Sequence, residues 1–218
     1  MVRHRLSPSP KPSRLRAALA AALAACTLGV ALPAHADPGS DRVQAAAQDS
    51  EKKITATASD VLALARAQIG ITENAQGGGT KFQHWYAGSQ RALETVARDG
   101  GHPNAYLNAP WCAMFVSWVG EQLGAGSQVG SDAYTVTHAQ WFRDNNRWGT
   151  EPRPGAVVFF AWNGSNSIGA IQHVGFVVKD NNNGTITTIE GNTGRGKVEE
   201  RIRPKWQVVG YGYPEYAA

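Results

Sequence analysis

The sequence predicts an α+β fold in which helices come first and an antiparallel sheet follows. Two observations predict it: apolar residues recur at helical spacing as far as Asn145, and beyond Pro154 they fall into short β-branched runs separated by turns. In chain order, Ser59 is expected to cap a helix that turns Val61, Leu62, Leu64, Ala65 and Ile69 inward and stops at Gly70. Gly77-Gly78-Gly79 marks a loop, Phe82, Trp85 and Tyr86 supply aromatic surface, and the polar stretch from Gly88 to Asn108 reads as an extra helix or a flap. Asn108-Ala109-Pro110 breaks the chain. Trp111, Phe115, Trp118 or Val119, and Leu123 then recur at helical spacing until Gly124, which puts Cys112 in the first turn of a buried helix. A shorter helix is expected from Thr137 to Asn145. The strand candidates are Ala156 to Ala161, Val174 to Val178, Thr185 to Ile189, Val198 to Ile202 and Gln207 to Tyr211, with Asp180 to Gly184 a turn by composition.

The first 36 residues have a different character. Arg3, Arg5, Lys11, Arg14 and Arg16 precede an apolar run from Ala17 to Leu32, and Ala34-His35-Ala36 places small residues where a signal peptidase reads. Residues 1–36 are therefore expected to be a secretory signal, cleaved after Ala36, and not an anchor, because the run is shorter than the roughly 20 apolar residues that span a bilayer. Leu23-Ala24-Ala25-Cys26 resembles a lipoprotein signal, but the apolar run continues past the cysteine, which disfavours lipidation. Residues 37–58 lack an apolar period and are expected to be a flexible spacer, leaving 59–218 as one catalytic domain. The net charge of +4 belongs largely to the signal. Five of the 21 basic residues and none of the 17 acidic ones precede Asp37, so 16 bases face 17 acids afterwards, a net −1. That balance excludes a basic footprint for nucleic acid or an anionic membrane.

Cysteine counting is the sharpest constraint. With Cys26 removed, Cys112 stands alone, and a lone thiol in an exported chain is either a small buried apolar residue or a nucleophile. A thiol attacks as thiolate, which a helix N-terminus favours, and Pro110 places Cys112 there. The nucleophile needs an imidazole. His84 and His102 lie in loop-like polar stretches and His138 near a helix start, where surface or capping roles are ordinary; His173 begins a strand. Its orienting group would be Glu190 or Asn192, two apart and on one face, if the hairpin pairs Glu190 with His173.

These residues resemble the cysteine, histidine-dependent amidohydrolase/peptidase domain, CHAP. Pro110 to Trp118 is similar to that family's nucleophile helix, Gln172-His173-Val174-Gly175 to its histidine strand and Glu190-Gly191-Asn192 to its orienting segment, in the same chain order. Gln68-Ile69-Gly70 with Glu73, and Lys81 to Tyr86, are similar to the segment preceding the nucleophile in actinobacterial members, so the likeness runs from about Ser59 to Tyr213. The resemblance implies a papain-like fold and hydrolysis of a peptidoglycan amide, either N-acetylmuramoyl-L-alanine or a bond within the stem or cross-bridge. It implies that Cys112 forms the acyl intermediate, His173 protonates the leaving amine, Glu190 and Asn192 orient the ring, and the Cys112 N–H holds the oxyanion. Trp111, Trp162 and Gln172 are expected to contact substrate. The Gly88 to Asn108 stretch is longer than the family's usual one and is expected to reshape the cleft.

No cofactor is expected, and no required metal, since His102 to Pro110 lack the acids with which some members bind calcium. The expected partner is peptidoglycan, with the protein secreted and monomeric, without nucleic acid or membrane insertion after processing. Two other readings are a wall-binding module whose Trp85, Trp111 and Trp162 stack on sugars, and a related stem-peptide endopeptidase branch, which commonly uses a second histidine where Glu190-Gly191-Asn192 stands here.

Overall fold

The computed structural model describes residues 55–218, so the expected signal and nearly all of the spacer lie outside the described residues. Helix α1, Ala58–Arg66, is capped by Thr57 and not by Ser59: the Thr57 hydroxyl accepts from the Asp60 N–H, and the Asp60 carboxylate accepts from the Thr57 N–H. Ala56, assigned by sequence to the spacer, is buried and accepts the Ala217 N–H at 2.9 Å, so the fold begins slightly earlier than expected. Helix α2 covers Lys81–Ala87 and α3 Gln90–Asp99, followed by a 3-10 turn at Pro103–Asn108. The ambiguous polar stretch is thus helical.

Helix α4, Cys112–Gln122, is the centre of the domain. Eight of its residues are buried, because it is covered on one side by α1 and α2 and on the other by the sheet. Phe82 of α2 stacks on Trp111 at 5.3 Å and meets Phe115 edge-on at 5.2 Å, and Phe115 in turn meets Phe176 of the sheet at 6.3 Å. Two further helices follow, α5 at Gly126–Val129 and α6 at Thr135–Asp144. Among the described residues, no helix is long and apolar enough to cross a membrane.

The sheet comprises β1 Trp148–Gly149, β2 Val157–Phe160, β3 His173–Asp180, β4 Thr185–Thr193, β5 Lys197–Pro204 and β6 Val208–Gly212. It has six antiparallel strands in the order β1-β6-β2-β3-β4-β5. This is the α+β arrangement expected, with one strand, β1, that a two-residue segment could not announce by periodicity. Strand β2 is buried on both faces: Val157 and Phe159 join the helical core, while Val158 and Phe160 join a smaller apolar cluster with Val177, Ile186 and Tyr211. That double burial explains why its sequence is an unbroken apolar run.

Strand β4 approaches α4 so closely that a side chain at position 191 has no room. A Cβ on Gly191 would lie 2.6 Å from Phe115 Cβ and 2.8 Å from the Trp111 ring. Gly191→Ala is therefore expected to destabilise the domain by about 1–3 kcal/mol through overpacking. Urea unfolding checks this, and an unchanged midpoint would show that helix and strand can separate without cost.

Candidate active site

Helix α4 begins without a side-chain cap: Trp111 occupies the N-cap position and makes no capping hydrogen bond. The first N–H groups of a helix have no intrahelical acceptor, and their dipoles favour negative charge beside them. Cys112, the only free cysteine among the described residues, sits at this terminus, almost wholly buried. Its side borders a cleft of about 330 Å³.

His173 is the first residue of β3 and is 5 % exposed. Its Nε2 lies 2.9 Å from Glu190 Oε2. Burial pushes the imidazole pKa down, but hydrogen bonds and charge from Cys112 and Glu190 outweigh it and carry the pKa up to about 9. Glu190 is fully buried. Burial alone would raise its pKa, yet Arg203 and His173 hold it down to about 2, so the carboxylate is ionised. An ionised carboxylate only accepts, which assigns the Nε2 proton to His173 and leaves the opposite side of the ring for Cys112.

Three side chains surround the Glu190 carboxylate with four hydrogen bonds. Arg203 forks onto it through Nε at 2.9 Å and Nη2 at 2.6 Å, the Thr188 hydroxyl donates at 2.6 Å, and His173 completes the set. Glu190 does not stand opposite His173 as expected. The β3–β4 register pairs Phe176 with Ile189, which sets the carboxylate's backbone two residues short of the imidazole's partner position, on the same face. The side chain reaches His173 by crossing Gly175, where a Cβ would lie 2.7 Å from Glu190 Cγ. The glycine after His173-Val174 is thus the opening through which the carboxylate passes.

The other expected residues separate. Asn192 has φ 52° and lies where the β4–β5 register shifts, so the two-residue alternation behind its expected placement fails. Among the described residues its side chain forms no hydrogen bond with the imidazole, which pairs with Glu190. Trp111 is 0 % exposed, stacked on Phe82, with its Nε1 donating to Glu73 at 2.8 Å. It is core, and offers a substrate no surface. Trp162, by contrast, is 37 % exposed and its ring centroid lies 5.3 Å from that of His173. Gln172 lines the cleft beside Cys112 and accepts the Trp162 N–H at 3.1 Å. His84 and His102 are exposed, whereas His138 is buried inside α6 with Nε2 2.8 Å from the Val129 carbonyl, a packing role and not a surface one.

Sequence reasoning missed Arg203 and Thr188. Thr188 carried a usable signal, being two residues before Glu190 on one strand; Arg203 carried none, because its pairing depends on how β5 lies against β4. Also missed was the anchor of the Gly88 to Asn108 stretch. Asp132, buried between α5 and α6, accepts from Arg91 at 3.0 Å and from Arg98 at 2.7 Å, both on α3. That ion-pair cluster ties α3 to Asp132, and Tyr106 and Asp99 of the stretch line the cleft. The stretch is helical and forms part of the cleft wall.

Comparison with known proteins agrees with this geometry in one respect. The CHAP domain family matches residues 102–192, which include Cys112, His173 and Glu190. No curated protein matches the chain. Among solved structures, the chain is similar to the P60 domain of an antigen from M. avium subspecies paratuberculosis, at 18 % identity and a TM-score of 0.41, over 74 % of this chain and 96 % of that one.

The charge pattern sets two pH dependences. Glu190, with its folded pKa at about 2 against an ordinary 4.5, contributes stability that is complete above 4.5 and is lost as pH falls toward 2. His173, raised to about 9 from 6.5, contributes stability that is complete below 6.5 and is lost as pH rises through 9. Glu190→Gln is expected to lower the imidazole pKa, and Gly175→Ala to do the same by displacing the carboxylate. An NMR titration of the His173 ring checks both; an unmoved titration in Glu190→Gln would show that the carboxylate does not act on the ring.

Proposed function

The chain carries a CHAP domain, a class of cysteine- and histidine-dependent amidohydrolases and peptidases, and from this we propose that it hydrolyses an amide of peptidoglycan through a Cys112 nucleophile. The observation that carries the proposal is the buried imidazole of His173, held by an ionised Glu190 at 2.9 Å and raised in pKa by Glu190 and by Cys112, which stands at an uncapped helix start. A raised imidazole pKa favours the imidazolium, the partner that a thiolate needs.

In the proposed reaction the Cys112 thiolate attacks the amide carbonyl and forms a carbon–sulfur bond, while the carbonyl electron pair moves onto oxygen. The Cys112 N–H, at the helix start, donates to that oxyanion. The oxyanion collapses, the carbon–nitrogen bond breaks, and His173 passes its proton to the leaving amine. Neutral His173 then takes a proton from water as the hydroxide attacks the thioester, and the thiolate leaves with the imidazolium restored. Glu190 keeps the ring in one tautomer and orientation throughout. Trp162 and Gln172 lie at the site's edge, where substrate passes. The bond cleaved is N-acetylmuramoyl-L-alanine or one within the stem or cross-bridge. The signal-like segment at residues 1–36 supports action outside the cell, on the wall.

Reduced protein is expected to release new amines and fragments from purified peptidoglycan, followed by mass spectrometry. Cys112→Ala and His173→Ala are each expected to lower turnover by about a thousandfold or more. Folded Cys112→Ala that retains turnover would sink the cysteine mechanism.

A further inference from the structure

Among the described residues, the aromatic side chains left exposed are Tyr134, Trp162 and Trp206, at 54, 37 and 63 %. They are not scattered. Tyr134 lines the cleft beside Cys112, Trp162 lies against His173, and Trp206 packs beside Gly164, two residues after Trp162. The two indoles flank one turn. Gly164 N–H donates to the Ala161 carbonyl at 2.9 Å to close it, and Ala161 N–H donates to the Gln207 carbonyl at 2.9 Å to tie it to the Trp206 segment. Gly164 packs so near Trp206 that a Cβ there would lie 3.2 Å from its ring.

Trp162 is held rigidly. Its ring stacks on Phe160 at 5.7 Å and lies under the Arg203 guanidinium at 5.0 Å. A fixed, exposed indole costs little further ordering when a flat ligand settles on it. The side chains along the turn are Asn163, Ser165 and Asn166, which offer uncharged donors and acceptors. The nearby cations are engaged: Lys205 with Asp180 at 2.6 Å, and Arg203 with Glu190. Rigid indole faces bordered by neutral amides, with neighbouring cations already paired, suit a neutral ring carrying C–H bonds on its face and hydroxyls or acetamido groups at its edge. An anionic group would find little charge to meet.

We propose that Trp162 and Trp206 form a saccharide-stacking subsite on the His173 side of the cleft, which takes an N-acetylated pyranose of the glycan strand. This rests on the peptidoglycan reading above and adds a direction to it. The cleft beside Cys112, lined in part by Tyr106, Pro110, Ala133 and Ile171, is largely apolar and receives the peptide. A substrate laid across Cys112 in this way has sugar on one side of the reacting amide and peptide on the other.

The test uses the full chain as Cys112→Ala, titrated separately with a neutral tetrasaccharide of N-acetylglucosamine and with a glycan-free stem peptide. The tetrasaccharide is expected to shift the indole N–H signals of Trp162 and Trp206 saturably. Trp206→Ala is expected to weaken that binding about tenfold, the loss of roughly 1.4 kcal/mol, and Trp206→Phe to recover part of it with an unchanged thermal midpoint. Indole shifts produced by the stem peptide and not the saccharide, or equal saccharide affinity in Trp206→Ala, would overturn the subsite. Turnover of peptidoglycan by the wild-type chain is read separately: turnover without saccharide binding discards the subsite alone, and no turnover by folded, reduced protein discards the hydrolase reading.

Discussion

The site depends on one buried carboxylate. An ionised group without access to water is tolerated only if its lone pairs are satisfied, and Glu190 meets that demand with Arg203, Thr188 and His173. The three partners come from β5, β4 and β3, so the carboxylate ties the strands that carry the site. The imidazole's orientation follows from this, because an acceptor fixed by a forked guanidinium leaves Nε2 one direction in which to donate. The raised pKa follows as well, since burial alone would have driven the ring neutral. Removing Gly175's open space or shifting the strand register would disturb the same carboxylate.

Around that centre the fold supplies two kinds of rigidity. On the helical side, α4 is wedged between Phe82 of α2 and Gly191 of β4, so the position of Cys112 is set by packing on both flanks. On the cleft side, the α3 segment is fastened by Arg91 and Arg98 to the buried Asp132, which lines the same cleft as Cys112. The segment therefore forms part of the wall past which Cys112 is approached. Trp162 borders the buried Glu190 centre, because its ring lies against His173 and the Arg203 guanidinium while remaining partly open to solvent.

Much of this was legible in the residues. Periodicity alone placed Cys112 in the first turn of a buried helix and His173 at the start of a strand, because helical and strand repeats bury their faces by local geometry. Composition separated a basic first 36 residues from a remainder of near-neutral charge. The preference for His173 over His84, His102 and His138 followed from its place in the pattern, and the turn brought Glu190 within reach of its ring although not into the expected register.

What the tertiary structure decided was every contact that depends on how two elements lie against each other. Asn192 left the predicted face because a bulge intervened, and the sequence pattern has no means of counting an unpaired residue. Trp111 went to the core because Phe82 and Glu73 from earlier segments close over it. Arg203 reached Glu190 from another strand, and Asp132 gathered two arginines from across the domain, by long-range approaches that no local signal records. Sequence by itself determined that a thiol rides at a helix start, an imidazole at a strand start and a carboxylate on a following strand, since those placements are matters of local period and turn. Distances among them, the charge each carries and the surface left open to a substrate were settled only when the sheet and helices packed, because those properties belong to pairs of elements and not to either one.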